Sequence, residues 1–280
     1  MRIAISAEST IDLTKDLVEK FDIKVVPFAI QLGDKLALDG EITTDEILEF
    51  ANTNKVLPKT SAVNEYQYTE HFENILKEYD GIVHFSLSSK LSLACSNAMN
   101  AAKKFKNVFV VDTLSLSTGI ALLAINAKEL ADKGYSAQEV YDESLKRVPA
   151  VQASFALKRL DFLYKGGRCS SLVYFGANLL KIRPQIIVSD GKMISGKKYR
   201  GNYEHVVKKY CQDVIEEFNT PDLTRAFVTY TTADEQVIET AKSSLEQQGF
   251  KEIYVTRAGG TIASHCGDDC LGILYLNDGE

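Results

Sequence analysis

The sequence predicts an α/β protein of two domains, the first with a mainly parallel sheet flanked by helices and the second with a mixed sheet and helices. Three observations lead to this prediction. Short apolar runs rich in Val, Ile and Phe alternate with amphipathic stretches, as in βαβ units. Hydrophobic residues make up 45% and charged residues 25% of the chain, as in globular proteins. The length of 280 residues exceeds the roughly 100–150 residues of a common domain, so two domains are expected.

The first half of the chain shows the alternation most clearly. Predicted strands cover residues 3–5, 23–28, 82–87 and 108–111, and predicted helices cover residues 14–21, 44–53, 65–79, 93–105, 119–132 and 137–148. Thr43 and Glu46 have the spacing of a capping box, which sets the start of one helix. We therefore expect residues 1–150 to form an N-terminal α/β domain.

The second half alternates less regularly. Two pairs of neighbouring predicted strands, 184–189 with 192–200 and 251–256 with 271–276, have no predicted helix between them. Predicted strands cover residues 152–156, 184–189, 192–200, 225–230, 251–256 and 271–276, and predicted helices cover residues 157–163, 171–180, 203–218 and 233–247. Asp190 and Gly191, placed between two of these strands, are typical of a hairpin turn. We expect residues 151–280 to form a C-terminal α/β domain.

The charge distribution excludes a general nucleic-acid binder, because such proteins need a basic face for the phosphates and this chain has a net charge of −6. The sign of the charge is not uniform, however. The segment from Lys158 to Arg200 contains ten basic and two acidic residues. Its net charge is therefore +8, and the rest of the chain has a net charge of −14. This basic stretch is either a solvated surface or a site for an anion.

Targeting and redox features predict a cytoplasmic protein. The N-terminal residues have the pattern of a buried strand rather than that of a signal peptide, and no apolar run reaches the roughly 20 residues of a membrane span. The five cysteines are scattered and odd in number, so we expect reduced thiols rather than a disulfide framework.

Hydroxyl side chains gather where the predicted strands end. These groups lie at residues 6–10, 60–61, 88–92 and 113–118. Each group alone is explained by helix capping, since Ser and Thr are good N-caps. Because ligands of parallel sheets bind at the carboxyl ends of strands, the four groups together predict an anion site. No phosphate-binding glycine motif is present, so direct nucleotide binding and a cofactor are not expected.

Two further segments have chemistry that admits alternatives. His265, Cys266 and Cys270 are candidates for a metal-linked regulatory module, and Cys266 or Cys95 for the nucleophile of a thiol-dependent acyl hydrolase or transferase. We expect His265, in a glycine-containing loop, to be a polar ligand contact or a structural group. The Gly166-Gly167-Arg168 segment is either a turn between helices or a set of donors on a freed backbone.

Taken in order, these segments resemble the DegV family of bacterial fatty-acid-binding proteins. The resemblance runs from Ser6 to Gly272, and each motif is weak alone, while the ordered set is specific. The stretches that carry it are Ser9-Thr10-Ile11-Asp12-Leu13, Thr60-Ser61, Ser88-Ser89-Lys90-Leu91-Ser92, Val111-Asp112-Thr113, Gly166-Gly167-Arg168, Arg183-Pro184 with Asp190-Gly191, and His265-Cys266-Gly267.

The resemblance implies a non-enzymatic carrier of a long-chain fatty acid. A separate ATP-dependent fatty acid kinase would phosphorylate the bound acid to an acyl phosphate, and transient membrane contact is compatible with that role. By position, Thr60 and Ser92 would hold the carboxylate beside His265. The other implied ligand-binding residues are Ser9, Ser61, Ser89 and Thr113. Arg168 and Arg200 would serve the phosphate region or the kinase-docking surface.

The sequence departs from the family pattern near the implied head-group site. Lys90, Leu93, Ala94 and Cys95 stand where the serine loop commonly has glycines, and residues 62–64 replace a Gln-Pro-Ser segment. Residues 268–270, Asp-Asp-Cys, stand where Pro-Gly-Thr is typical. We expect the bulk of Leu93 and the acidity near His265 to alter the ligand or to disfavour a phosphorylated product.

Overall fold

The computed structural model describes residues 1–169 and 183–279. Up to residue 150, the strands and α-helices in chain order are β1 (Ile3–Glu8), α1 (Lys15–Lys20), β2 (Ile23–Val26), β3 (Ala29–Leu32), β4 (Lys35–Leu38), α2 (Thr44–Asn54), β5 (Lys59–Ser61), α3 (Glu65–Ile75), β6 (Gly81–Ser86), α4 (Ala94–Ala102), β7 (Val108–Asp112), α5 (Thr118–Asp132) and α6 (Ala137–Arg147). Short 3-10 turns follow β1 and α6, at Ser9–Ile11 and Val148–Ala150.

Four strands of the first half form a parallel sheet in the order β2-β1-β6-β7. β1 and β6 are buried along their whole length, which explains their nearly continuous apolar sequence. Helices connect the strands, and α2 begins with the capping box that Thr43 and Glu46 predict. The predicted parallel sheet with flanking helices is confirmed.

A three-stranded antiparallel sheet, in the order β4-β3-β5, was not predicted. The predicted strand over residues 23–28 ends at Val26, and the chain turns into β3 three residues later. Gly33 and Asp34 form the two-residue turn between β3 and β4, and a Gly-Asp pair between apolar runs is a hairpin signal. The strands have only three or four residues, too few for a period-2 pattern to stand out.

The second half forms a six-stranded mixed sheet. Its described elements are β8 (Val151–Leu157), α7 (Asp161–Lys165), β9 (Arg183–Ser189), β10 (Lys192–Tyr199), α8 (Tyr203–Glu217), β11 (Arg225–Tyr230), α9 (Glu235–Gln248), β12 (Glu252–Arg257), α10 (Gly260–Cys266) and β13 (Cys270–Leu276). The strand order is β10-β9-β8-β13-β11-β12, and β11 and β12 are the parallel pair. The predicted mixed sheet is confirmed.

The turn at Asp190 and Gly191 joins β9 and β10 as predicted, with both residues at positive φ. Two local predictions differ from the structure. The helix predicted over residues 157–163 is α7, which begins at Asp161 because β8 continues to Leu157. The short helix α10 was missed. The helix predicted over residues 171–180 lies outside the described residues.

Helix α5 joins the two larger sheets. It is buried along most of its length and packs against β1 and β6 of the parallel sheet and against β8, β11 and β13 of the mixed sheet. One apolar core therefore includes residues from both halves, such as Val110, Ile120, Phe155 and Leu274. The domain boundary near residue 150 stays a prediction. Among the described residues, no helix has the length and apolar character needed to span a membrane.

Candidate functional site

The candidate site is a cavity of about 450 Å³ between the parallel sheet, the three-stranded sheet and the mixed sheet. Such a volume is within the range of roughly 300–1,000 Å³ that is common for small-molecule sites. Half of the lining is apolar and comes from Phe28, Ala62, Leu87, Leu91, Leu93, Leu116, Met193 and Ile262. The rest comes from Thr60, Ser89, Lys90, Ser92, Arg168, Thr261, His265 and Cys266. The cavity thus combines an apolar wall with a polar group of hydroxyls, one imidazole and the cations of Lys90 and Arg168.

Thr60 and His265 form the polar pair of the cavity. The Thr60 hydroxyl oxygen lies 2.9 Å from His265 Nε2, although 205 residues separate them in the chain. Burial and, to a smaller extent, the positive charge of Arg168 together lower the pKa of His265 to about 4. The imidazole is therefore neutral at neutral pH. Its Nδ1 atom is buried and has no hydrogen-bond partner among the described residues.

The serine loop, residues 88–92, brings Ser92 to the same cavity. The backbone amides of Leu91 and Ser92 donate to the carbonyl of Ser88, which folds the loop into a tight turn. The Ser92 hydroxyl oxygen accepts a hydrogen bond from the amide of Ala94 at 3.1 Å, so its proton is free to donate to a ligand. The Ser88 hydroxyl donates to the carbonyl of Gly191 and ties the loop to the hairpin of the mixed sheet.

Glu8, at the end of β1, anchors the chain segment that enters the serine loop. Its buried carboxylate accepts hydrogen bonds from the amide of Leu87 at 2.9 Å, from Ser86 at 2.6 Å and from Tyr68 at 2.6 Å. Burial raises the pKa of Glu8, but the attraction of His84 and these hydrogen bonds together leave the pKa below its ordinary value. Glu8 is therefore held as a carboxylate that fixes the start of the loop.

Helix α10, which carries His265, is held at its first turn by two acidic residues from the N-terminal half. The amide of Gly259 donates to Asp12 at 2.7 Å, and the amides of Gly260 and Thr261 donate to Asp39 at 2.8 and 3.1 Å. These bonds satisfy amides that have no partner inside the helix. His265 thus belongs to a helix rather than to the loop that its glycine neighbour suggested.

Asp12 is the acidic residue whose protonation the fold perturbs most clearly. Burial raises the pKa of Asp12 to about 8, against hydrogen bonds from Ser117 and Gly259 that lower it, and the nearby Asp39 raises it further. The Ser117 hydroxyl lies 2.5 Å from the second carboxyl oxygen of Asp12. A seven-residue helix is too short to show a helical period, so the sequence did not reveal this anchoring. In the sequence, Asp12 was marked by its place in residues 9–13, one of the stretches that carry the family resemblance.

Gly166 lies directly against the imidazole. A Cβ atom added at Gly166 would stand 2.9 Å from His265 Nδ1, closer than such atoms approach without displacement. The Gly166 carbonyl accepts a 2.6 Å hydrogen bond from Arg168, which orients the guanidinium at the rim of the cavity. Close packing against the site therefore favours glycine at this position.

Of the residues predicted for ligand or phosphate contact, the structure brings five to this cavity. They are Thr60, Ser89, Ser92, His265 and Arg168. Ser61 is exposed, since neighbouring residues of a strand point to opposite faces. Ser9 and Thr113 are engaged elsewhere: Ser9 donates to Asp39 and accepts from Phe28, and Thr113 donates to the carbonyl of Ser86.

Arg200 is exposed directly after β10 and does not line the cavity. The binding roles of all nine predicted residues stay predictions. The acidic pair expected to affect the site is neutralised, because Asp268 pairs with Arg159 and Asp269 pairs with Lys158. Leu93 lines the cavity and is 73% exposed.

The geometry does not favour the two alternatives, a thiol-dependent acyl hydrolase or transferase and a metal-linked regulatory module. Burial raises the pKa of Cys95 to about 12 and that of Cys270 well above its ordinary value, which suppresses the thiolate needed for nucleophilic attack. All five cysteines are buried, and none forms a disulfide within the described part of the chain. Within residues 1–169 and 183–279, no group of three His, Cys, Asp or Glu side chains is arranged to hold a metal ion.

A family comparison fits this arrangement. A sequence model of the DegV family, described as a family of uncharacterised proteins, matches residues 2–278 of the chain. The chain belongs to the DegV family. A fatty acid-binding protein of Thermotoga maritima is 30% identical to this DegV chain over 284 residues, which cover 97% of this chain and 96% of the relative. A DegV domain-containing protein of Clostridium acetobutylicum is 28% identical over 280 residues, 98% of each chain.

Solved structures of DegV proteins have the same fold. A DegV-family protein of Thermus thermophilus, described for its fatty acid binding, superposes with a TM-score of 0.88 at 28% identity, over 99% of this chain and 100% of the other. The fatty acid kinase B3 protein of Streptococcus pneumoniae, loaded with linoleic acid, superposes with a TM-score of 0.85 at 21% identity, over 99% and 100% of the two chains. The predicted family and its α/β fold are confirmed. The Thermotoga maritima and Thermus thermophilus relatives are named for fatty acid binding.

Proposed function

We propose that this DegV-family chain binds one long-chain fatty acid, with the carboxylate beside Thr60, Ser92 and His265 and the acyl chain along the apolar wall of the 450 Å³ cavity. The observation that carries the proposal is the Thr60–His265 pair in a cavity whose remaining wall is largely apolar. A ligand with one polar end and a long apolar tail matches that division.

The protonation state of the pair suits a carboxylate. With His265 neutral, its Nε2–H donates to the Thr60 oxygen in one tautomer, which leaves the Thr60 proton for the ligand. Ser92 supplies a second hydroxyl proton, because its oxygen already accepts from Ala94. Two hydroxyl donors satisfy a carboxylate without a buried permanent cation, so the ligand is held reversibly.

The apolar tail supplies most of the binding energy in this proposal. Burial of each methylene contributes about 0.8 kcal/mol, while a hydrogen bond to a charged group contributes about 1.5–3 kcal/mol. A tail of fourteen methylenes, worth about 11 kcal/mol, therefore outweighs two head-group hydrogen bonds, worth about 3–6 kcal/mol, by about two- to fourfold. The head-group residues set the orientation of the ligand and distinguish an acid from an alcohol or ester.

The relatives support the same ligand class. The Thermotoga maritima relative is named a fatty acid-binding protein, and the Thermus thermophilus structure is described as showing fatty acid binding. We further propose that the chain presents its ligand to a separate ATP-dependent fatty acid kinase, since the Streptococcus pneumoniae protein of this fold is named as part of such a kinase. We propose that it acts in the cytoplasm, where its five cysteines would stay reduced.

Native mass spectrometry of the purified protein tests the ligand, and titration with palmitate and oleate tests the site. We expect one bound fatty acid per chain. Thr60→Val and Ser92→Ala should each weaken palmitate binding about tenfold, which corresponds to the loss of one hydrogen bond to a charged group. Ser61→Ala is the matched control, since Ser61 is the exposed hydroxyl next to Thr60. Protein that stays empty after incubation with both acids would overturn the proposal, and equal affinities in all three variants would remove the head-group assignment.

A further inference from the structure

A second cavity, of about 510 Å³, adjoins the acyl-binding cavity and is rich in positive charge. Four cationic side chains line it: Lys55, Lys59, Lys165 and Arg168. None of the described residues that line it carries a carboxylate. We call this cavity the basic basin. A groove of about 590 Å³ between α8 and α9 has both acidic and basic residues in its lining and shows no such excess.

The cations reach the basic basin from separate elements of the chain. Lys55 caps the end of α2, Lys59 begins β5, Lys165 ends α7, and Arg168 follows two residues after the glycine that contacts the imidazole. Lys55 and Lys59 form no ion pair with any carboxylate in residues 1–169 and 183–279. Asp161 lies near Lys165 and offsets part of this charge, and the remaining excess of like charges creates a positive potential, which attracts an anion into the concave space.

The two cavities share Thr60, Arg168 and His265. The Thr60–His265 pair therefore stands between the apolar cavity and the basic basin. The unpartnered Nδ1 atom of His265 lies on the side of Gly166, another residue that lines the basin. A carboxyl group held by this pair would have its acyl chain on one side and its second oxygen open towards the cations on the other.

We propose that the basic basin is a phosphate subsite, in which Lys55, Lys59 and Lys165 contact the phosphoryl group of an acyl phosphate whose chain occupies the apolar cavity. The proposal rests on the proposed fatty-acid function for the acyl part of the ligand. The phosphoryl group of an acyl phosphate carries up to two negative charges and three terminal oxygens, which match several converging lysines better than a single carboxylate does. The lysines act as point charges on flexible stems, so they serve a substituent that enters and leaves through an open basin.

The test compares two ligands of equal chain length, palmitate and a hydrolysis-resistant β-ketophosphonate in which a methylene replaces the bridging oxygen of palmitoyl phosphate. Displacement titrations give the dissociation constant of each ligand for the full-length protein, for Lys59→Gln/Lys165→Gln and for Lys208→Gln/Lys251→Gln. The last variant is the matched control, since both of its lysines are exposed and lie outside the basin.

We expect the basin variant to lose about tenfold in the ratio of phosphonate affinity to palmitate affinity, the sum of two partly exposed charge pairs. The loss should shrink as the salt concentration rises from 50 to 300 mM, because salt screens exposed charges over about 6–14 Å. The control variant should keep the ratio of the unchanged protein. An equal ratio in the basin variant and in the control would overturn the proposal while leaving fatty-acid binding intact.

A second arm separates the two sources of phosphate. Inorganic phosphate is titrated into palmitate-loaded protein and into protein without added acid, with binding followed by phosphorus NMR. Saturable binding that the basin variant loses supports the subsite and assigns it to free phosphate as well as to the acyl-linked group. If neither the parent nor any variant binds palmitate, the proposed function fails, but phosphate binding still tests the basic basin. Phosphate binding that is lost only in the basin variant supports the subsite. Phosphate binding that the variant leaves unchanged refutes the subsite.

Discussion

Replacement of Asp12 by Asn tests how the buried acid shapes stability. Asp12 is buried, accepts the amide of Gly259 and lies 2.5 Å from the Ser117 hydroxyl. Asparagine keeps the size of the side chain, offers an oxygen to Gly259 and an amide group to Ser117, and tolerates the left-handed backbone conformation at this position. The variant should therefore fold normally and differ from the parent chiefly in having no proton to lose.

The magnitude follows from the pKa of Asp12, which burial raises from its ordinary 3.8 to about 8. Between these two values the folded chain holds a proton that the unfolded chain has lost, so Asp12 destabilises the fold increasingly as the pH rises through that window. The slope for one proton is about 1.4 kcal/mol per pH unit. From pH 5 to pH 7, the free energy of unfolding of the variant should therefore gain about 3 kcal/mol relative to the parent protein.

Urea unfolding at pH 5, 6, 7 and 8, followed by circular dichroism, gives the two free energies of unfolding at each pH. The matched control is Asp34→Asn, since Asp34 is exposed on the turn between β3 and β4. The free energy of unfolding of this control should differ from that of the parent by the same amount at every pH. A constant difference between the Asp12→Asn variant and the parent from pH 5 to pH 8 would refute the reasoning. It would mean that the hydrogen bonds from Gly259 and Ser117 keep Asp12 ionised despite its burial.

Three further substitutions test the anchoring of the site. Glu8→Gln should lower the free energy of unfolding by about 3 kcal/mol, because it leaves buried donors unmatched, whereas the exposed Glu19→Gln should not; equal effects in chemical denaturation would contradict this. Leu116 separates the acyl cavity from a smaller one of about 20 Å³, so Leu116→Ala should shift competition binding towards longer acyl chains, and an unchanged order of chain lengths would count against that wall. Gly166→Ala should displace His265 and weaken palmitate binding about tenfold in the same titrations, and unaltered affinity would exclude the imidazole from the head-group site.

Long-range hydrogen bonds explain why the head-group site depends on residues that local sequence patterns passed over. The serine loop is oriented by Glu8, which is 79 residues before Leu87, and α10 is oriented by Asp39, which is 221 residues before Gly260. Neither acidic residue stands in a spacing that marks an anchor, because the partner is a backbone amide and every residue except proline has one. Only the folded chain shows which amides they meet.

Local sequence patterns predicted the position of some hydroxyl side chains at the cavity and not of others. Ser92 and Thr60 were expected at an anion site, and the structure places both at the cavity with His265. Ser9 was expected there by the same argument, yet its hydroxyl is used to hold Asp39 and the amide of Phe28. A serine that caps or braces the chain and a serine that faces a ligand have the same sequence surroundings, since both follow strands.

The sequence by itself determined the α/β alternation, the parallel and mixed sheets and the family, because hydrophobic periodicity and ordered motifs are local properties of the chain. Tertiary structure alone decided the rest. The three-stranded sheet and α10 consist of segments of three to seven residues, too short for a periodic signal, and packing against the other elements stabilises them. The joining of Thr60 to His265, and of Lys55 and Lys59 to Lys165 and Arg168 in one basin, follows from packing of the sheets, which no spacing along the chain encodes.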